Sequence, residues 1–411
     1  MAIAPDRRPE VLAPAGDMER LRAALLYGAD AVYLGGKEHT MRSAPKNFTM
    51  EELEQACRLA HSQGARVYFT CNTLLKNQEV AGLPAYLREA ADCGVDAFIV
   101  ADIGVLRLCR QAVPEVEVHV STQAGVTNYL TARALSEMGA SRVVLARELS
   151  LEEIRGIREN TPPELEIECF VHGAMCVSFS GRCLLSNYLL GRDANRGECA
   201  QPCRWRYHLV EEKRPGQYFP ITQEPEGTYL LNAKDLCLLP WLDRLCEAGV
   251  DSLKIEGRSK SAYYAAVAAG AYRRGVDLWK EDPEHYDPPQ WLLEEPLKLS
   301  HREYCSGFLF GRPEDGQCCR EGGYVRRWEA AALVEGWRNG RLFCTQRNKV
   351  RVGDTLEAIP PRGEPAAVPV PALWDGEGRP IPDTPHPMMA FSIPFPEPLP
   401  PGTFLRKEAG T

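Results

Sequence analysis

The sequence predicts an α/β protein: a (β/α)8 barrel of the TIM type with a cysteine-rich insertion between strands 7 and 8, followed by a small C-terminal β-barrel domain. Three observations carry this. Eight short apolar or β-branched runs alternate with amphipathic stretches. Several of those stretches end in a glycine just before the next run, at Gly28, Gly64, Gly94, Gly139 and Gly249. Near Tyr324 the texture changes to short alternating runs with Asn-Gly and Gly-Asp turns.

The runs are, in order, "EVLAP" near 10, "AVYLG" near 31, "RVYFTCN" near 66, "AFIVAD" near 97, "EVHVSTQ" near 117, "RVVLAR" near 142, "LEIECFVHG" near 165 and "SLKIEG" near 252. Helical periodicity fills the gaps, as in Asp17 to Tyr27 and Met50 to Gln63. Strand, helix and glycine repeated to a count of eight is the pattern of a closed parallel barrel, whose catalytic groups gather at the C-terminal ends of the strands. The long interval before the eighth strand, about 173–245, holds "HGAMCVSFSGRCLLSNYLLGRDANRGECAQPC" and an expected hairpin, "RYHLVEEKRPGQYFPI" with "GTYLLNAKDL". The barrel domain is expected over 1–320 and the small β domain over 321–411, with a Pro-rich, partly irregular end from about Pro360.

Composition narrows the class. A chain of 411 residues, 44% hydrophobic and 25% charged, can bury a sizeable core. The start "MAIAPDRRPEVLAPAG" has no apolar run suited to a signal peptide, and no segment approaches the roughly 20 apolar residues that span a bilayer, so a cytoplasmic protein without a membrane partner is expected. Fifteen scattered cysteines do not resemble a secreted disulfide framework. A net charge of -8 argues against nonspecific coating of nucleic acid and leaves room only for a local basic site.

Alternation assigns the barrel interior. If Leu165, Ile167, Cys169 and Val171 face the helices, Glu166, Glu168, Phe170 and His172 face the lumen; likewise Leu253 and Ile255 leave Lys254, Glu256 and Arg258 inside. Val118 and Val120 leave His119, Ser121 and Gln123, and the third strand leaves Tyr68, Thr70 and Asn72. So many buried ionisable groups cost several kcal/mol each unless they pair or meet a polar ligand, so a polar-substrate pocket at the C-terminal rim is expected. Glu168, His172, Lys254, Glu256 and Arg258 are the catalytic candidates; Asn72, Ser121, Gln123 and Arg147 are candidates for substrate binding. The competing readings are a self-neutralising ion network, a packed histidine, and loop caps at Asp102 and Arg147.

Cys176, Cys183, Cys199 and Cys203 have the spacing C-x6-C-x15-C-x3-C. Four soft ligands in one short segment can surround a metal. Irregular spacing suits a [4Fe-4S] cluster better than the paired Cys-x2-Cys knuckles of structural zinc, with zinc the alternative and Cys237 the reserve ligand. Two basic groups stand out. Between Tyr324 and Gly353 lie Arg326, Arg327, Arg338, Arg341, Arg347, Lys349 and Arg351 with Trp328, Trp337 and Phe343, against Glu329 and Glu335. Beside the cysteines lie Arg192, Arg196, Arg204, Trp205 and Arg206. Cations among aromatics suit an RNA loop, and equally a solvated face over a core.

"ECFVHGAMCVSFSGRCLLSNY" with "RGECAQPCRW", the opening "LAPAGDMERLRAALLYGADAVYLGG" and "SLKIEGRSKSAYY" together resemble the collagenase-like peptidase family U-thirty-two over nearly the whole chain. Within it the chain is most similar to the tRNA hydroxylation branch. The resemblance implies oxygen-independent 5-hydroxylation of the wobble uridine of tRNA, with prephenate and an iron-sulfur cluster on Cys176, Cys183, Cys199 and Cys203. Relatives that modify ribosomal RNA, or a paralogous partner subunit, are also implied. Because prephenate is a dicarboxylate, Arg182, Arg258 and Lys254 become candidates to bind it, and Glu256 or His172 to move a proton. Proteolysis, which the family name implies, is the alternative, although the sequence has no His-Glu-x-x-His and no Gly-x-Ser-x-Gly.

Overall fold

A computed structural model describes residues 8–41, 46–176, 178, 183, 185–194, 197–204, 222–224, 227–229, 233–311 and 324–409. Eight parallel strands, β1 (Glu10–Pro14), β2 (Ala31–Gly35), β3 (Arg66–Cys71), β4 (Ala97–Val100), β5 (Glu117–Val120), β6 (Arg142–Val144), β7 (Glu166–Ala174) and β8 (Ser252–Ile255), pair in sequence order. The cylinder closes because β8 pairs in parallel with both β1 and β7. Helices α1 (Met18–Leu26), α2 (Met50–Ser62), α3 (Leu83–Asp92), α4 (Ile103–Ala112), α5 (Tyr129–Glu137), α6 (Leu151–Glu159), α7 (Leu242–Glu247) and α8 (Ala262–Glu281) follow the strands in turn. The expected barrel is the one that forms.

Local signals set the element ends. Asp17 accepts the Arg20 N–H to cap α1, Asp102 accepts those of Gly104 and Val105 to cap α4, and Thr49 with Glu52 forms a reciprocal capping box on α2. Asp102 is therefore a helix cap. Gly28 leaves α1 at φ 94, and a Cβ there would lie 2.6 Å from Cγ of Arg273.

Strand alternation divides the interior as expected. Val11, Val32, Val67, Phe98, Val118, Ile167 and Leu253 join the inner faces of the helices in one continuous apolar layer. Inside the cylinder Leu12, Ala31, Tyr33, Tyr68, Ala97 and Ile99 form a separate apolar belt. Above and below that belt the lumen is polar.

The insertion departs from expectation. Residues 206–221 of the expected hairpin lie outside the described residues. Asp235 and Leu236, placed on that hairpin from the sequence, instead form with Cys237 a short strand that pairs antiparallel with the end of β7, Leu236 opposite Gly173 and Cys237 opposite His172. The extra length of β7 beyond its barrel neighbours leaves an unpaired edge, and this short strand takes it.

The C-terminal unit is an eight-stranded antiparallel half-barrel: β9 (Trp328–Arg338), β10 (Arg341–Gln346), β11 (Thr355–Ile359), β12 (Ala366–Pro369), β13 (Leu373–Asp375), β14 (Pro380–Ile381), β15 (Ala390–Pro394) and β16 (Phe404–Glu408), in the order β12-β11-β16-β9-β10-β15-β13-β14. Its core holds Val334, Leu342, Leu356, Phe391, Ile393 and Leu405. The Pro-rich end is more regular than expected, because Pro369, Pro380 and Pro394 stand at strand ends where a missing N–H is tolerated. Buried Arg406 on β16 joins the units through both oxygens of Glu295, at 2.7 and 2.5 Å, while Glu357 of the neighbouring β11 holds its Nε at 2.5 Å. Tyr27 of the barrel donates to the Ile359 carbonyl at 2.7 Å and accepts the Phe404 N–H.

Candidate active site

The site begins with the lumen floor. Glu168 on β7 is fully buried and accepts hydrogen bonds from Lys254 Nζ at 2.6 Å and from Arg142 at 3.0 Å. Arg142, at the start of β6, also binds Glu166 at 2.6 and 2.8 Å and Glu10 at 2.7 Å, and Ser252 donates to Glu10 at 2.8 Å. Burial works to raise the Glu168 carboxyl, but Lys254 and Arg142 outweigh it and hold the group below the ordinary carboxylate range. Glu10 is lowered in the same way, burial being opposed by Arg142. His119, wholly buried and edge-on to Tyr68, is pushed far below its usual value by burial and by Arg142, so it is neutral. Such a network forms because each of these charges would be untenable alone in an apolar cylinder.

On this floor stands a polar pocket at the C-terminal mouth, lined by Tyr33, Thr70, Asn72, Ser121, Gln123, Arg147, Phe170, Lys254, Glu256 and Arg258. Lys254 faces it between two rings, 4.7 Å from the centre of Tyr33 and 5.4 Å from that of Phe170. Arg258 is buried and donates to Thr70 and Thr40, each at 2.8 Å. This clamp needs Gly35, since a Cβ there would lie 2.4 Å from the guanidinium and 2.6 Å from the Thr40 hydroxyl. Arg147 lies over Phe170 and donates to the Ala174 carbonyl at 3.0 Å. Ser121 accepts the Gln123 N–H and opens a short helical turn, while Asn72 accepts the Met41 N–H. Three cations and one carboxylate, Glu256, thus converge among neutral hydrogen-bonding groups, an arrangement complementary in charge to an anionic small molecule.

Of the expected residues, Lys254, Glu256, Arg258, Asn72, Ser121, Gln123 and Arg147 come together here. Glu168 lies beneath, saturated by its two cations, and reaches the pocket only through Lys254. His172 does not face the pocket. A register shift between Lys254 and Ile255 at the end of the β7–β8 ladder breaks simple alternation, and His172 packs instead among Tyr264, Tyr272 and Tyr304, with ring centres 5.3 to 5.8 Å away. Burial pushes it down to about 3, so it stays uncharged near neutral pH. Arg182 lies outside the described residues. Sequence reasoning missed Arg142, Glu10 and Thr40: the first two are the opening residues of β6 and β1, and Thr40 lies in a loop without pattern.

Cys176, Cys183 and Cys203 are partly buried and Cys199 is exposed. The Ala200 N–H bonds to the Ser186 hydroxyl at 3.1 Å, folding the segment so that the neighbourhoods of Cys183 and Cys199 approach. Cys176 accepts the Ser178 N–H at 3.5 Å and Cys183 the Leu185 N–H at 3.4 Å, the kind of donor that tunes cluster-bound sulfur. Yet among the described residues no three His, Cys, Asp or Glu side chains converge as a metal site requires. Four thiols in one segment have the donor chemistry of an iron-sulfur cluster. Cys237 is buried in the apolar layer against the Tyr272 hydroxyl, and burial pushes it up to about 11.

The basic residues of the C-terminal unit do not act as one patch. Arg347 pairs with Glu19 of the barrel at 2.9 Å and Lys349 with Asp383 at 2.8 Å. Trp328 lies between Lys298 and Arg406 at the junction of the units, and Trp337 donates to the Phe395 carbonyl. Of the second group, Arg192 is exposed, while Arg196, Trp205, Arg206 and the side chain of Arg204 lie outside the described residues. No helix among the described residues is long and apolar enough to cross a membrane.

Residues 16–318 match the model of peptidase family U32, and residues 326–406 match that of the peptidase family U32 C-terminal domain. The chain is 37% identical to tRNA hydroxylation protein P1 of Bacillus subtilis, over 98% of this chain and 95% of that one. It is 37% identical to tRNA hydroxylation protein P of Escherichia coli, over 87% of each. It is also 39% identical to the 23S rRNA 5-hydroxycytidine C2501 synthase of Escherichia coli, over 67% of this chain and 40% of that one.

Proposed function

This chain belongs to peptidase family U32, and we propose that it is an RNA-hydroxylating enzyme whose substrate is tRNA. The finer reading is oxygen-independent 5-hydroxylation of the wobble uridine, with prephenate as the small acid co-substrate. One observation carries it: a chain similar along almost its whole length to tRNA hydroxylation proteins has, at the mouth of its barrel, a pocket where Lys254, Arg258 and Arg147 face a single carboxylate.

In this reading Arg258, immobilised by Thr40 and Thr70, grips one carboxylate of the acid, and Lys254, held upright by Glu168, meets the other. Glu256 is the group on the pocket wall suited to accept or release a proton. Asn72, Ser121 and Gln123 offer neutral contacts that orient the ligand without adding charge. Cys176, Cys183, Cys199 and Cys203 are the residues we propose for an iron-sulfur cluster, which would supply Lewis-acid or one-electron chemistry when bound. A cytoplasmic location follows from a tRNA substrate.

The test is nucleoside mass spectrometry of tRNA from a strain lacking this gene. Hydroxylated uridine should vanish, return with the wild-type gene, and fail to return with Lys254→Met or Arg258→Met. Restoration by both pocket variants would refute the site; a change confined to ribosomal RNA would move the substrate. Iron and sulfide contents near zero after anaerobic purification would remove the cluster from the proposal. Cleavage of casein or collagen by the purified chain, with tRNA unchanged in the deletion strain, would instead establish the peptidase reading.

A further inference from the structure

We infer that the solvent face of the C-terminal half-barrel, where β9, β10, β15 and β13 lie side by side, is a stacking platform for unpaired bases of the RNA. The inference rests on the hydroxylation reading above and deepens it by saying where the nucleic acid is held outside the pocket.

The pleat of β10 buries Leu342 and Cys344 in the core and turns Arg341 and Phe343 outward. Phe343 stands opposite Ser392 of β15, and Trp374 of β13 stands opposite the same Ser392 from the other side. The two half-exposed rings therefore flank one small residue, two strand spacings or about 10 Å apart, and cover it so well that Ser392 is 3% exposed. Each ring carries a guanidinium. Arg338, across the hairpin, lies 4.8 Å from the Phe343 centre, and Arg341 lies 3.7 Å from that of Trp374.

The surrounding charges favour an anionic occupant. Among the described residues neither Arg338 nor Arg341 is in an ion pair, whereas nearby Glu335 is engaged by the Thr345 hydroxyl at 2.7 Å and Asp375 by Arg379 at 2.8 Å. Arg347 and Lys349 are neutralised elsewhere, and Trp337 is tied to the core. What remains is two planar aromatic groups and two planar cations on one face. Bases stack on either kind of plane regardless of sequence, while the cations meet phosphates. A chain with net charge -8 must meet RNA through such a local surface. A peptide partner would need backbone edges or apolar pockets, which this paired, cation-capped face does not present.

The experiment measures binding of an unmodified tRNA transcript to the full-length protein by fluorescence anisotropy across a salt series. Phe343→Leu with Trp374→Leu should weaken binding about tenfold or more. Arg338→Gln with Arg341→Gln should do the same and lower the slope of log affinity against log salt by roughly 1.5 to 2. Arg58→Gln, on the exposed face of α2, should bind as wild type does. Should the aromatic pair unfold the sheet, as a lower Tm would show, the arginine pair carries the test, since neither arginine is buried. Wild-type affinity and slope in the arginine pair would overturn the inference, as would loss of a protein partner with tRNA affinity unchanged. If tRNA hydroxylation depends on the gene but affinity does not depend on this face, the platform alone falls. If affinity depends on the face but no hydroxylated nucleoside depends on the gene, the platform stands and the activity falls.

Discussion

Lys254 Nζ lies 2.6 Å from Glu168 Oε1, beneath the mouth of the barrel, and the other oxygen of Glu168 is held by Arg142 at 3.0 Å. The pocket cation is thus fixed from below by a carboxylate that never touches the pocket. Glu168→Gln keeps the volume and leaves Lys254 and Arg142 short of one negative charge, which should destabilise the fold by about 3 kcal/mol or more. Calorimetry of the variant checks this, and an unchanged Tm would show that the pair contributes little.

The same carboxylate sets an acid limit. Its folded pKa is below the ordinary 4.5, so the stability it contributes is fully present above that value and drains away as pH falls through the lowered one. Wild type should therefore lose Tm more steeply below pH 4.5 than Glu168→Gln does. Parallel curves would contradict the shift.

Arg142 is a single cation serving three carboxylates, Glu10, Glu166 and Glu168. Arg142→Met should take this cation from all three, leaving Glu168 its pair with Lys254, and cost about 3 to 5 kcal/mol, even though Met fills a similar volume. Arg142→Lys should recover only part of this, because an ammonium cannot present the flat fork of donors that spans them. Urea unfolding of the two variants makes the comparison.

Gly35→Ala tests the Arg258 clamp without touching a charged residue. The added methyl would meet the guanidinium at 2.4 Å, so Arg258 must move off Thr70 and Thr40. We expect hydroxylation in cells to drop at least tenfold, at a stability loss of about 1 to 3 kcal/mol. Full activity in Gly35→Ala would show that the position of Arg258 is immaterial.

His172 should matter for acid stability and not for proton transfer. Its folded pKa of about 3 is far below the ordinary 6.5, so the unfolded chain binds a proton first and stability declines as pH falls from 6.5 towards 3. His172→Phe should flatten that decline, and the pH dependence of activity above 6 should be unaltered. An activity limb that disappears with His172 would return it to the mechanism.

The barrel was legible because its signals are local. Runs such as "EVLAP" and "AVYLG" give β1 and β2 residue for residue, and the periodic stretches Asp17 to Tyr27 and Met50 to Gln63 contain α1 and α2. The pocket was legible where alternation holds, at Lys254, Asn72, Ser121 and Gln123. It failed at His172, where a register shift near the strand end turned the side chain outward. The platform was half legible: Phe343 and its arginines are close in sequence, but Trp374 is reached only through the pairing of β13 with β15.

By itself, then, the sequence determined eight strands, their order, the polarity of the lumen and the presence of a thiol-rich excursion, since each depends on neighbours within a turn or a pleat. Only the tertiary structure decided which charges are consumed and which remain for a ligand. Arg142 and Lys254 look alike in a strand pattern; curling the sheet into a cylinder surrounds the first with Glu10, Glu166 and Glu168 below the pocket, whereas the second meets one carboxylate, Glu168, and lies on the pocket wall.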